Sequence, residues 1–375
     1  MKVHGRARVQ DFLGTFIVYR SLLPMDKRLP ALPKLREELS IPLGLTPRKS
    51  STKYADVIAR IIRHAQDVRG ENDEIEHLLY IGDTRVNDGT AFANLLTSGD
   101  WTGAAFIASE SEGPEKTRVE GPDGRKVLVA NRWKALDSYD CFCRDNGFDI
   151  NEQTAVVIDL DKTTLGARGR NDRVIDKVRL QAMRKTIAGL LDGDFDEQSF
   201  ESDYSRLNQP CYHKFTTDNQ DYLAYICLSL QSGVMTSSFL FEALDEGKIQ
   251  HFAQFLALVD EGQNKLSPLL RNVHCSVKEA LSKGNPTPFV DFRINEYLLT
   301  VKSMGCLPDQ TPIDQLLKEE IVITNEVMQA ALRYRDRGAL LFGLSDKPDE
   351  ASLPPPDSES YLPVHQMYTH VVGGD

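Results

Sequence analysis

The sequence predicts an α/β fold, a Rossmann-like parallel sheet core carrying an inserted, largely helical domain. Three observations predict it. Short apolar runs alternate with segments of helical period, the pattern of βα units whose strands are buried on both faces. The clearest run, residues 155–160 (AVVIDL), is β-branched, continuous and ends in acid. From about 168 to 323 the helical period continues almost without strand signals, over a length common for one domain.

The elements follow in order. Residues 12–19 read as a strand, inside an N-terminal arm or edge element spanning 1–45. Residues 51–64 are helical, because Tyr54, Val57, Ile58, Ile61 and Ile62 share one face, and Ser51 or Thr52 supplies a cap. HLLYIGD, residues 77–83, is short enough for a buried strand. Residues 90–96 read as helix and 104–108 as strand. The Gly-, Pro- and charge-rich stretch 109–126 reads as a loop or small hairpin, and 132–144 as an amphipathic helix. Beyond the helical segment come a helix over 326–335, a strand over 339–344 (ALLFGL), a Pro-rich loop and a last strand over 367–372.

Composition excludes several classes of function. The 375 residues hold 55 acidic and 44 basic side chains, a net charge of −11. That argues against a general nucleic-acid or anionic-membrane partner, since phosphate contact on that scale wants a basic surface. No apolar run is long enough to span a membrane, and the N-terminus MKVHGRARVQDF lacks the apolar centre of a secretion signal. Six cysteines in this length form no disulfide framework, and Cys141-Phe-Cys143 lacks two further zinc ligands. A cytoplasmic protein with reduced thiols is expected.

In parallel α/β sheets ligands bind at the carboxyl ends of the strands, so polar groups there are site candidates. Asp159 lies at the end of the strand at 155–160 and Asp161 follows it. Asp83 ends the strand at 77–83 and Asp88 follows it, and Ser345 follows the strand at 339–344. Lys49 and Lys53 stand at the start of the first long helix. Carboxylates from two strands suit a hard divalent cation such as Mg²⁺. Asp159 is then placed to attack phosphorus, and Asp161 to act as acid and then base. Ser345 and a lysine supply a hydroxyl and a positive charge for the phosphoryl oxygens. Asp88 competes with Asn87 for an inner role at the acidic turn. His213, His251 and His274 read as surface or packing residues. Arg168 and Arg170 read either as anion contacts or as hinge charges.

These residues resemble the motifs of the haloacid dehalogenase superfamily. AVVIDLDKTTL is similar to its first motif, DxDxT, at Asp159, Asp161 and Thr163. LFGLS resembles the second, at Ser345. RKSSTKYADVI resembles the third, at Lys49, with Lys53 as the other choice. IGDTRVND resembles the fourth, at Gly82, Asp83 and Asp88. The chain carries them in the order third, fourth, first, second, a cyclic shift of the family order that implies a circular permutant. Chain termini are commonly exposed and close together, which makes such a shift tolerable. The resemblance implies a core written as 46–167 and 324–375, with a helical cap at 168–323 between the first and second motifs.

It further implies a Mg²⁺-dependent phosphatase acting on a small phosphorylated substrate through an aspartyl-phosphate. The metal would be held by Asp159, Asp83 and the backbone carbonyl of Asp161. A phosphomutase shares this core, whereas the acid at Asp161 argues against a dehalogenase. A nucleic-acid end phosphatase and a non-enzymatic binding protein that retains the fold are competing readings. The run Asp161-Lys162-Thr163 also resembles the phosphorylation motif of cation-pump ATPases. In that register Asp161 would be the nucleophile, but the extra acid at 159 and the lack of membrane spans favour Asp159.

Overall fold

The structure, a computed structural model, describes residues 1–71, 73–121, 126–356, 358 and 361–374. The strands in chain order are β1 (Lys2–Ala7), β2 (Ile17–Val18), β3 (His77–Gly82), β4 (Thr102–Ala108) and β5 (Thr117–Glu120). They continue as β6 (Lys126–Ala130), β7 (Thr154–Asp159), β8 (Ile323–Thr324), β9 (Leu340–Leu344) and β10 (Thr369–Gly373). Two compact units result: Met1–Lys177 with Thr300–Asp375, and Val178–Leu299. The sequence marked the helical insertion as 168–323.

The first unit is built on a seven-stranded sheet in the order β2-β9-β7-β3-β4-β6-β5. Every neighbouring pair is parallel except the edge pair β5–β6. The central strands are buried at nearly every position, as continuous apolar runs require in a sheet covered on both faces. One face (Leu78, Tyr80, Ala155, Val157, Phe342) packs on the helices Thr52–Val68 and Asn87–Gly99. Burying each of the larger aliphatic side chains contributes roughly 1.5–3 kcal/mol. Across the other face Tyr139 donates to the Ala104 carbonyl at 2.6 Å, and its ring lies 5.7 Å from that of Phe106.

Several local expectations change. The strand expected over 12–19 is a helix, Val9–Leu13, followed by the two-residue β2. Val9, Phe12 and Leu13 are buried at helical spacing, and Gly14 at φ 70° ends the helix. The helix expected over 132–144 is a 3₁₀ turn, Trp133–Ser138, and then an α-helix, Tyr139–Asp145. The loop or hairpin read over 109–126 holds β5, which pairs antiparallel with β6 at its end, and its residues 122–125 lie outside the described ones. In the Pro-rich loop, residues 357, 359 and 360 also lie outside them.

A second sheet, β1-β10-β8, braces the segment that leaves β7. Thr324 donates its backbone N–H to Thr164 O at 2.9 Å and its hydroxyl to Thr163 O at 2.6 Å. Gly166 donates to Val322 O at 3.0 Å. The loop bearing Asp161 is therefore held on its C-terminal side.

The turn Val364–Gln366 is tied to the end of β2 by Tyr19, whose hydroxyl lies 3.0 Å from His365 Nδ1. Burial pushes the His365 imidazole down from 6.5 to about 4. The fold therefore favours the neutral ring. Its contribution is complete above pH 6.5 and is lost as pH falls through about 4, amounting to up to about 3 kcal/mol. The unfolding midpoint of His365→Gln is expected to vary less across that interval than that of the wild type, as denaturant titration would show.

The unit Val178–Leu299 has no strand among its described residues. Its core is aromatic, with Phe200, Phe215, Tyr225, Phe252, Phe255 and Phe289 all buried. A buried Arg293 pairs with Asp221 and, at 2.5 Å, with Glu296, as charges removed from water require. Among the histidines, His274 is a satisfied core residue that bonds Tyr225 and, at 2.8 Å, Asp260. His251 caps the helix Phe252–Glu261, and His213 faces Asp218 at 3.8 Å.

Candidate functional site

The strands that carry the acidic and hydroxyl candidates are neighbours, in the order β9-β7-β3. Ile81 is level with Ile158, and Asp159 with Leu344. The chain therefore turns out of the sheet at one level after each of them, and Asp83, Asp159 and Ser345 meet at one edge. Asp159 is buried, and Lys49 Nζ stands 2.5 Å from its Oδ1 and 2.6 Å from Asp88 Oδ1. Lys49 precedes the capping turn of helix Thr52–Val68, where Ser51 Oγ accepts from Tyr54 N at 3.2 Å and donates to Arg48 O at 2.8 Å. Lys53 points elsewhere: its ammonium is exposed and bonds Leu39 O at 2.8 Å.

Asp88 is saturated by protein donors. Its Oδ2 accepts from Asp83 N at 3.1 Å, and from Thr84 N and Thr84 Oγ1 at 2.8 Å each. Its Oδ1 accepts from Lys49 and from the Tyr80 hydroxyl at 3.0 Å. A carboxylate offers about four lone-pair sites, so none remains for a metal. Asp88 instead clamps the turn that presents Asp83. Gly82 makes that approach possible, since a Cβ there would lie 2.6 Å from Asp88 Cγ.

Asp83 is buried and accepts a hydrogen bond from Arg168 Nε. Arg168 reaches it through a turn at Gly169 (φ 77°), where a Cβ would lie 2.0 Å from the Glu110 carbonyl oxygen. Thr163 is fully buried beside Asp159. Asp161 is half-buried, and a sharp turn follows it, with Lys162 at φ 65° and Thr164 Oγ1 donating to Asp159 O at 2.7 Å. Lys162 itself turns away to Asp176, 2.8 Å from it. Asp161 and the buried Ser345 line one small cavity together with Tyr19, Lys347, Ser352 and His365. Ser345 Oγ accepts from Lys347 N at 3.1 Å.

Electrostatics distinguish the three buried acids. Burial, then repulsion from Asp159 and Asp88, pushes the Asp83 carboxyl up. Burial likewise pushes Asp159 up, against the opposing pull of Lys49. Burial also works against the Asp88 charge, but Lys49 and the surrounding donors outweigh it and hold that carboxyl below its usual range. Burial opposes the Lys49 charge too, yet Asp159 and Asp88 hold the ammonium well above its ordinary value. The cluster thus has an excess of carboxylate. Among the described residues, only Asp83, Asp88 and Asp159 come together as a group able to hold a metal ion, with one oxygen of each within 4.8 Å of the others. An all-oxygen donor set whose carboxyl groups outnumber the cations beside them fits a hard divalent cation. With Asp88 saturated, Asp83 and Asp159 are the acids available to it.

Sequence reasoning left Arg168 with two readings and did not single out Tyr80 or Thr84. A tyrosine within the aliphatic run LLYIG was the available signal, because a buried phenol needs a partner. No family model, curated protein or solved structure matches the chain. Among the described residues no helix is long and apolar enough to cross a membrane.

Proposed function

We propose that the chain is a Mg²⁺-dependent phosphohydrolase that works through an aspartyl-phosphate on Asp159. Its core would be a circularly permuted relative of the haloacid dehalogenase fold. The helical unit falls in the chain between the first and second motifs, where that superfamily inserts a cap. The observation that carries the proposal is the buried Lys49 ammonium bridging Asp159 and Asp88, with Asp83 at the adjacent strand end.

The Asp159 carboxylate attacks phosphorus, and the bond from phosphorus to the leaving oxygen breaks as Asp161 protonates that oxygen. Asp161 then takes a proton from water, whose oxygen attacks phosphorus and frees both phosphate and Asp159. Lys49 and Ser345 hold the phosphoryl oxygens. Mg²⁺, held by Asp83, Asp159 and the Asp161 carbonyl, would supply the positive charge that lets these anions approach one another. The substrate class is a small phosphorylated metabolite, and the composition supports a cytoplasmic setting. Purified protein is expected to hydrolyse p-nitrophenyl phosphate with added Mg²⁺ and to stop on chelation. No turnover with any divalent metal would favour a binding protein instead.

The Arg168–Asp83 pair adds a prediction. Arg168 binds one Asp83 oxygen and offsets the charge that would attract a cation, so the two compete. Arg168→Gln is expected to bind Mn²⁺ about tenfold more tightly in calorimetric titration, the order of one partly screened charge pair. Unchanged or weaker binding would contradict the competition.

A further inference from the structure

Tyr54 does not fit the role its position first implies. It lies on the apolar face of helix Thr52–Val68, has no exposed surface, and packs in the core with Val18, Leu22 and Leu344. A phenylalanine would fill that place. Yet the Tyr54 hydroxyl is buried with no hydrogen-bond partner. Buried phenols nearly always have one, and leaving one unmade costs about 1–3 kcal/mol.

The hydroxyl feels the charges of the acidic site. Tyr54 lies in the first turn of its helix, and helical side chains lean towards the N-terminus, here towards Lys49. The charges that act on it are Lys49, Asp346, Asp159 and Asp88. A second tyrosine, Tyr80, stands beside the same ammonium, 5.8 Å from ring centroid to Nζ. Tyr80 donates its hydroxyl to Asp88, whereas the Tyr54 hydroxyl has no acceptor. Burial pushes the Tyr54 phenol well above its ordinary value, so it keeps its proton and can only gain by donating it to an acceptor.

We infer that Tyr54 donates a hydrogen bond to an oxygen of the bound phosphoryl group, a third phosphate contact beside Lys49 and Ser345. This rests on the phosphotransfer proposal above. It assigns a ligand contact to a position that the helical period places on the apolar face.

The test is Tyr54→Phe, with inorganic phosphate in the presence of Mg²⁺ as the probe. Calorimetry is expected to show phosphate bound about 10- to 100-fold more weakly than by wild type, the value of a hydrogen bond to a charged group. The unfolding midpoint without ligand is expected to hold or rise, because the variant deletes an unsatisfied hydroxyl. Phosphate affinity within about twofold of wild type would overturn the inference, as would a lowered midpoint, which would reveal a partner within the protein. If the wild type binds phosphate and only this variant comparison fails, the phosphotransfer proposal stands without Tyr54. If the wild type binds none, that proposal falls first and the Tyr54 contact with it.

Discussion

Asp159→Asn is expected to lower kcat on an aryl phosphate by about 10⁴-fold or more, the scale of losing a covalent nucleophile, while the protein still unfolds cooperatively. The substitution is nearly isosteric. Its amide oxygen can still accept from Lys49, whose ammonium stands 2.5 Å from the present carboxylate oxygen. What disappears is the negative charge that attacks phosphorus. Burial already makes that charge unfavourable, and Lys49 keeps its pairing with Asp88 when it is removed. A steady-state assay beside a denaturant titration separates the two effects. Retained turnover would remove Asp159 from the nucleophile's role.

Lys49→Met should show the largest stability loss. The ammonium is almost fully buried between Asp159 and Asp88. Without it two carboxylates face each other with no cation between them, and breaking a buried pair in this way costs about 3–5 kcal/mol. Both carboxyls would then be held above their unfolded values. Carboxylates raised in this manner lose stability as pH rises, because the folded state binds more protons than the unfolded one. The deficit relative to wild type is therefore expected to shrink as the solution is acidified. Adding Asp88→Asn to Lys49→Met should recover part of the loss at neutral pH. Chemical unfolding of the single and double variants at neutral and acid pH checks both points. A loss that does not depend on pH would mean that packing, and not charge, is what Lys49 supplies.

What could be read from the sequence follows from the range over which each signal acts. Asp83, Asp159 and Ser345 were legible because each ends an apolar run in a fold whose strands finish at one edge. Their being immediate neighbours, β9-β7-β3, needed the sheet order. Lys49 and Lys53 could not be separated, since both flank the same helix start. The Ser51 cap turns Lys49 inward and leaves Lys53 on the outer surface. Asp88 was visible, but its work was not, because that depends on backbone N–H groups aligned only by the turn at Asp83 and Thr84. Arg168 was harder still. Its contact closes through Gly169 and the Glu110 carbonyl, far apart in the chain.

The fold divides in the same way. β7 and β9 announce themselves by composition. β2 and β8, two residues each, exist only through partners at β9 and β10. β1 pairs with a strand at the opposite end of the chain, Lys2 against Gly373, and no local pattern carries that. The helical unit was legible as a class, because its period of 3.6 repeats over many turns, but not in its bounds, which were read as 168–323 where the compact unit is Val178–Leu299.

The central claim is a covalent phosphoryl group on Asp159. The most direct measurement uses Asp161→Asn, which retains the nucleophile but lacks the base that would release the adduct. After reaction with a good aryl phosphate and Mg²⁺, acid quench and peptide mass spectrometry should find one hydroxylamine-labile phosphoryl group. It should map to the peptide containing Asp159 and be absent from the Asp159→Asn, Asp161→Asn double variant. A phosphoryl group on any other residue, or aryl alcohol released in a burst with no adduct, would contradict it.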